Sequence, residues 1–223
     1  FSEVVLKHTQ AQLYSVDYSA AVEVNYAHHH QAFADRFTAL QASIYALPFP
    51  PQQFDKVFCF GVLQHTPDVR KSVASLAAMV KPGGELVVDF YPYRGFWTKW
   101  QAKYWLRPFT KKMSQEALLA WIERNADSWI RWYFFFEKIG IGRIFNRFLP
   151  ICDIRHTLPP NLSAAQLREW VVLDTLDMLS PAYDQPQRIA TVRSWFEQLG
   201  FTQIFAGYVY VENQRIAVVK GKK

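Results

Sequence analysis

An aspartate that closes an apolar run and precedes a helix is placed to hold a diol. Asp17 stands there, after Ala-Gln-Leu-Tyr-Ser-Val at residues 11–16 and ahead of Ser19 and residues 20–30. A carboxylate at the carboxyl end of a strand can accept from both hydroxyls of a ribose; capping the next helix is its plainer use. Tyr18 follows and would lie against a base, or stand as a surface ring. Ser43 and Ile44 end a second run, residues 37–43, where a hydroxyl acceptor and an apolar wall could face the same ligand or simply pack the strand end. Phe60, Gly61 and Val62 end a third, and Gly61 would let a ligand approach the backbone closely.

His65, just beyond, has the side chain suited to proton transfer near neutrality, so it is the candidate base or acceptor-orienting group. Holding the Thr66-Pro67-Asp68 turn is an equally good use of it. Tyr91, Tyr93 and Arg94 close a fourth run and could line an acceptor pocket, with Arg94 fitting a carboxylate or phosphate; loop packing is the alternative. His156, Asp174, Asp177, Tyr183 and Asp184 are polar residues in an apolar stretch, hence substrate-side candidates, although buried caps and salt bridges would also explain them.

Some constellations point away from chemistry. His28, His29 and His30 are adjacent on a helix, so their side chains diverge by about 100° each and cannot converge on one ion. No metal is expected. Cys59 and Cys152 lack the spacing of a metal knuckle and the number of a disulfide framework, and read as buried thiols. Gly140-Ile141-Gly142 follows a helical stretch, not a strand, and reads as a helix end.

The elements that must position these residues alternate. Residues 1–6 read as the inside of a helix. Strands are expected at 11–16, 37–43, 57–60 and 85–91, with helices over 20–30 and 68–80, the latter stopped by Lys81-Pro82-Gly83-Gly84. The continuous apolar run 57–60 suits a strand covered on both faces. Such alternation predicts an α/β fold with a mostly parallel sheet. Residues 92–186 lose the alternation and read as a largely helical, aromatic-rich insertion or lid, and 187–199 as an amphipathic helix. A terminal hairpin over 201–211 and 215–220 turns around Glu212-Asn213-Gln214. Three segments follow: 1–91 for a cofactor, 92–186 for a substrate, and 187–223 completing the first.

With 223 residues and half of them hydrophobic, the chain can bury one substantial core. Lys plus Arg exceed Asp plus Glu by 25 − 19 = 6, but read along the whole sequence the positive residues are scattered, so no nucleic-acid partner is expected. No run reaches transmembrane length and no signal peptide is evident, which fits a cytoplasmic protein. The block Trp129–Phe136, with Arg131, Lys138, Arg143 and Arg147 nearby, could meet a membrane surface or lipid-like acceptor, but lid packing is the commoner use of such a block.

In order, Tyr14-Ser15-Val16-Asp17-Tyr18-Ser19, Ala46-Leu47-Pro48-Phe49, Phe54-Asp55-Lys56-Val57, Gly61-Val62-Leu63-Gln64-His65 and Lys81-Pro82-Gly83-Gly84 resemble class I S-adenosylmethionine-dependent methyltransferases of the type 11 small-molecule group. Residues 174–181 with Tyr183 and Asp184 are similar to a bacterial subgroup. The resemblance implies a Rossmann-like sheet and S-adenosyl-L-methionine as cofactor, bound by Asp17, Tyr18, Ser43, Ile44, Phe60, Gly61 and Val62. It implies methyl transfer to a small-molecule acceptor near His65, Tyr91, Tyr93, Arg94, His156, Asp177 and Tyr183. The family's first strand, central in its sheet, and the glycine-rich loop after it have no counterpart here. The resemblance sets Phe1 just after that loop, so further sequence upstream is expected. Without the loop, the alternative is a non-catalytic homologue that keeps the fold as an interaction module. A nucleotide-linked oxidoreductase would share the aspartate but not the Leu-Pro-Phe turn or the Lys-Pro-Gly-Gly element.

Overall fold

The computed structural model describes residues 1–159, 161–211 and 214–223, with the side chains of His156 and Gln214 left aside. The hairpin turn expected around residues 212–214 lies largely outside the described residues. In chain order the elements are α1 (Ser2–His8), β1 (Leu13–Asp17), α2 (Ala21–Phe33), β2 (Phe37–Gln41), β3 (Phe54–Cys59), α3 (Val69–Met79) and β4 (Val80–Phe90). Then come α4 (Phe96–Lys99), α5 (Ala102–Thr110), α6 (Gln115–Lys138), α7 (Gly142–Phe145), α8 (Ile154–Thr157), α9 (Ala164–Leu179), α10 (Ile189–Gln198), β5 (Thr202–Val211) and β6 (Gln214–Lys222). Short 3₁₀ turns at Leu63–His65 and Asn146–Phe148 complete the course.

The α/β alternation is present, and the strands form two ladders. β1 and β2 pair in parallel; β3, β4, β6 and β5 form a second sheet in that order, parallel between β3 and β4 and antiparallel beyond. Among the described residues ring contacts, not ladder bonds, connect β1 to β3: Tyr14 meets Phe54 at 5.5 Å between centroids. This break lies where the resemblance locates a central strand.

The break has a consequence for β3. A strand covered on both faces was expected there, but Phe58 is 38% exposed and stacks on Phe60 at 5.4 Å. Among the described residues no strand is hydrogen-bonded on that edge, and the two rings shield each other instead of entering a core. The opposite face is well covered. Leu86, Val88 and Phe90 alternate inward from β4, Ala217 and Val219 from β6, and Val73, Leu76, Val192 and Phe196 close over them from α3 and α10.

Local chemistry sets the helix ends. Asp68 caps α3 by accepting from Lys71 N at 3.0 Å, and the Tyr45 hydroxyl accepts from Asp68 N and donates to Asp68 O. α10 stops at Gly200, whose φ of 82° suits a residue without a Cβ. Phe201 N then bonds back to Phe196 O at 3.0 Å, which folds the Phe201 ring onto Phe196.

The helices α4 to α9 and their connections hold two apolar clusters of their own, one on Leu118, Ile122 and Val172, the other on Tyr133, Ile151 and Val171. A buried ion cluster ties this region to the sheet. The Asp184 carboxylate, 2% exposed, receives Lys103 Nζ and Arg107 Nη1, both at 3.0 Å, while Arg107 Nη2 donates to Pro181 O. Next in sequence, Gln185 N donates to Gln64 O, its side-chain amide to the carbonyls of Thr66 and Pro67, and Gln187 N to Tyr91 O. No helix among the described residues is long and apolar enough to cross a membrane.

Two stability outcomes follow in chemical denaturation. Phe196→Ala empties the centre of the sheet core and should cost about 3–5 kcal/mol, whereas Tyr210→Ala, at a ring 71% exposed, should stay within about 0.5 kcal/mol. Asp184→Ala leaves two buried cations without their anion and should cost about 3–5 kcal/mol.

Candidate active site

The cofactor-side residues sit on the loops that leave β1, β2 and β3. Asp17 Oδ1 accepts from Ser19 N at 2.7 Å and Ser19 Oγ at 2.8 Å, closing a turn ahead of α2 without capping the helix, whose N-cap Ala20 carries no side-chain bond. Its Oδ2 has no partner among the described residues. Ser19 Oγ in turn accepts from Ala21 N at the start of α2. Tyr18 is 80% exposed, and its carbonyl accepts from Gln41 Nε2, which ties the β1 exit to the β2 exit. Ser43 Oγ accepts from Tyr45 N, so its hydroxyl already serves a local turn. Ile44 packs against the sheet core, and its carbonyl accepts from Ser75 Oγ on α3.

At the β3 exit, Gly61 has φ 73° and nothing within 4 Å of where a Cβ would project. Its N–H donates to Asp89 Oδ1 at 2.6 Å, joining the exits of β3 and β4. Burial pushes the Asp89 carboxyl above the usual carboxylate range, opposed by the Gly61 hydrogen bond. Val62 is exposed, and Phe60 meets the Phe1 ring at 5.4 Å.

On the acceptor side the structure brings together His65, Tyr91 and Tyr183. His65 Nδ1 lies 3.1 Å from the Tyr183 carbonyl oxygen, and its ring meets Tyr91 edge-on at 5.6 Å. A carbonyl oxygen only accepts, so Nδ1 carries the proton and Nε2 the lone pair. Tyr91 is partly exposed, yet burial, with smaller contributions from Asp177, Asp184, Asp174 and Asp89, pushes its phenol up to about 12. Lys103 Nζ stands 5.1 Å from the Tyr91 ring centre and 4.8 Å from that of Tyr104.

Other expected residues are placed elsewhere. Tyr93 N bonds Gln187 O and its ring carries Arg188 at 5.2 Å, a packing role. Arg94 is exposed, with its backbone N–H donating to Thr98 Oγ1. Asp177 is exposed on α9, and the His156 side chain lies outside the described residues. The histidines of α2 diverge: His28 Nδ1 meets Val24 O, His29 packs on Phe37, and His30 stacks on Tyr26. Both cysteines are buried thiols, pushed up to about 12 chiefly by burial.

Four contributors went unsingled in the sequence: Asp89, Lys103, Tyr104 and Arg107. Asp89 had a readable signal, a lone acid in Leu-Val-Val-Asp-Phe. Lys103 and Arg107, four apart on α5, carry none until Asp184 is seen between them.

Residues 1–88 match the methyltransferase domain family. An uncharacterized protein of Synechococcus sp. is 29% identical over 182 residues, covering 78% of this chain and 37% of that protein. A tRNA U34 carboxymethyltransferase of Nautilia profundicola is 44% identical over 43 residues, 19% of this chain and 14% of its own length. The chain thus spans well under half the length of these curated relatives. In fold it is similar to the YcgJ protein from Bacillus subtilis, with TM-score 0.50 at 12% identity, covering 100% of this chain and 86% of that one. It is also similar to the CurJ carbon methyltransferase, with TM-score 0.51 at 13% identity over 99% of this chain and 44% of that one. Residues 1–88 match the methyltransferase domain family, and the chain as a whole shares the α/β fold of these two structures.

Proposed function

We propose that the chain binds S-adenosylmethionine on the loops leaving β1, β2 and β3 and directs methyl transfer to a small-molecule acceptor beside His65. The observation that carries this reading is the Asp17 carboxylate, with one oxygen committed to the turn before α2 and the other open, at the linked exits of β1 and β2, with the uncluttered Gly61 at the exit of β3. These residues fit an adenosine. Asp17 Oδ2 accepts from the ribose hydroxyls, Tyr18 and Val62 offer exposed apolar surface to the base, and Gly61 leaves room above the backbone. Ser43 contributes less, since its hydroxyl is already engaged.

Bound there, the cofactor supplies an electrophilic methyl group on sulfur. An acceptor X–H held in line with that methyl would have His65 Nε2 as the group to take its proton. Tyr183 O holds the histidine tautomer that leaves Nε2 free, and Tyr91 fixes the ring from its edge. With its phenol held neutral to high pH, Tyr91 can donate to the acceptor.

One observation favours a second reading, a fold kept as an interaction module: among the described residues no ladder bonds join β1 to β3. Calorimetric titration of S-adenosylhomocysteine into the 223-residue chain separates the two. Asp17→Asn keeps an acceptor for Ser19 N–H but loses the charge, so binding should weaken by about tenfold or more with the thermal midpoint unchanged. A folded chain that takes up no ligand would favour the second reading.

A further inference from the structure

α5 turns charge inward and aromatic rings outward. Arg107 and Thr110 are buried beside Ala102 and the partly buried Leu106, and Lys103 reaches Asp184 from a side chain 14% exposed. Its outward positions are apolar, with Trp105 48% and Phe109 70% exposed, four residues apart on one face. In a helix packed on an aqueous protein the pattern runs the other way.

The outward face continues into a joined aromatic patch. Phe96 meets Trp100 at 4.9 Å, Trp100 meets Trp105 at 5.5 Å, and Trp105 stacks on Phe148 at 5.7 Å, with Trp97 against Phe96 at the margin. The positive charge is not scattered here. Residues 94–114 hold six Lys and Arg and no Asp or Glu; Lys103 and Arg107 are spent on Asp184, which leaves Arg94, Lys99, Lys111 and Lys112 around the aromatic rings.

We propose that this face, α4 and α5 with the Asn146–Phe148 turn, docks on an anionic lipid surface, its tryptophans and phenylalanines at headgroup depth and its cations against acidic headgroups. Amphipathic aromatic rings rimmed by lysine and arginine are the chemistry that partitions to a membrane interface. A second copy fits less well, because a two-fold contact through this face would set lysine against lysine with no acid within residues 94–114 to answer it. This surface is separate from the Asp17 rim, and the inference does not depend on the methyl-transfer reading.

The test is co-sedimentation of the 223-residue chain with vesicles of phosphatidylcholine alone and of phosphatidylcholine with 30% phosphatidylglycerol, roughly an inner-leaflet level of acidic lipid, with tryptophan emission recorded. The wild-type chain should bind the acidic vesicles with a blue shift. Trp105→Ser with Phe109→Ser, both outward and so compatible with folding, should weaken partition by about tenfold or more. Lys111→Glu with Lys112→Glu should remove the preference for acidic lipid, and raised salt should mimic it. The proposal is overturned if the folded chain ignores both vesicle types, or if the serine variant binds as the wild type does. It is equally overturned if sedimentation velocity finds a dimer that the serine variant abolishes, or if a single-stranded oligonucleotide binds this face and vesicles do not.

Discussion

The buried carboxylate of Asp184 is the joint on which the meeting of His65, Tyr91 and Tyr183 depends. An anion removed from water is tolerable only when it is answered by cations, and Asp184 Oδ2 takes two, Lys103 and Arg107, from one face of α5. That demand orients the helix. Once its inward face is committed to the carboxylate, the tryptophan and phenylalanine on the other side have nowhere to go but outward. The same joint places the segment after it. Tyr183 offers its carbonyl to His65, and Gln185 bonds to Gln64, Thr66 and Pro67, so the 3₁₀ turn after β3 is held from both sides.

The proposed cofactor side, at the exits of β1, β2 and β3, rests on weaker and more local forces. Asp17, Ser19 and Gln41 are exposed, and their hydrogen bonds each contribute about 1 kcal/mol or less against competing water. What fixes their geometry is packing beneath them: Leu6, Leu13 and Phe37 under β1 and β2, and the core of α3 and α10 under β3 and β4. Gly61 to Asp89 is the exception. There a half-buried carboxylate accepts a backbone N–H at 2.6 Å, and this short bond sets two strand exits side by side despite the cost of burying the acid.

The strand-helix alternation up to residue 90 was legible because its signals are local. A period of two, an aspartate cap and a proline-glycine stop each act within a few residues, and the elements they predict are present within a few positions of their expected ends. The meeting of His65, Tyr91 and Tyr183 was legible only as a set of candidates, since Tyr183 is distant in sequence and arrives through its backbone carbonyl, a contact no side-chain type announces. Coverage of β3 was misread for a similar reason. An apolar run shows that a strand can be buried on both faces, but whether Phe58 is buried depends on which neighbours reach it across the sheet.

α5 shows where periodicity alone must fail. Its spacing makes the helix amphipathic in either orientation, and the ordinary preference would turn Trp105 and Phe109 inward. The deciding fact is a carboxylate 77 residues from Arg107 that, once buried, must be answered by cations. Burying the rings would gain about 2–3 kcal/mol each, but leaving Asp184 without its cations would cost more than either. The charge count carries the same lesson. A net of +6 over the whole chain says little, whereas six cations and no anion within residues 94–114, two drawn inward by one acid, leave a basic rim around rings that the fold itself has pushed into the open.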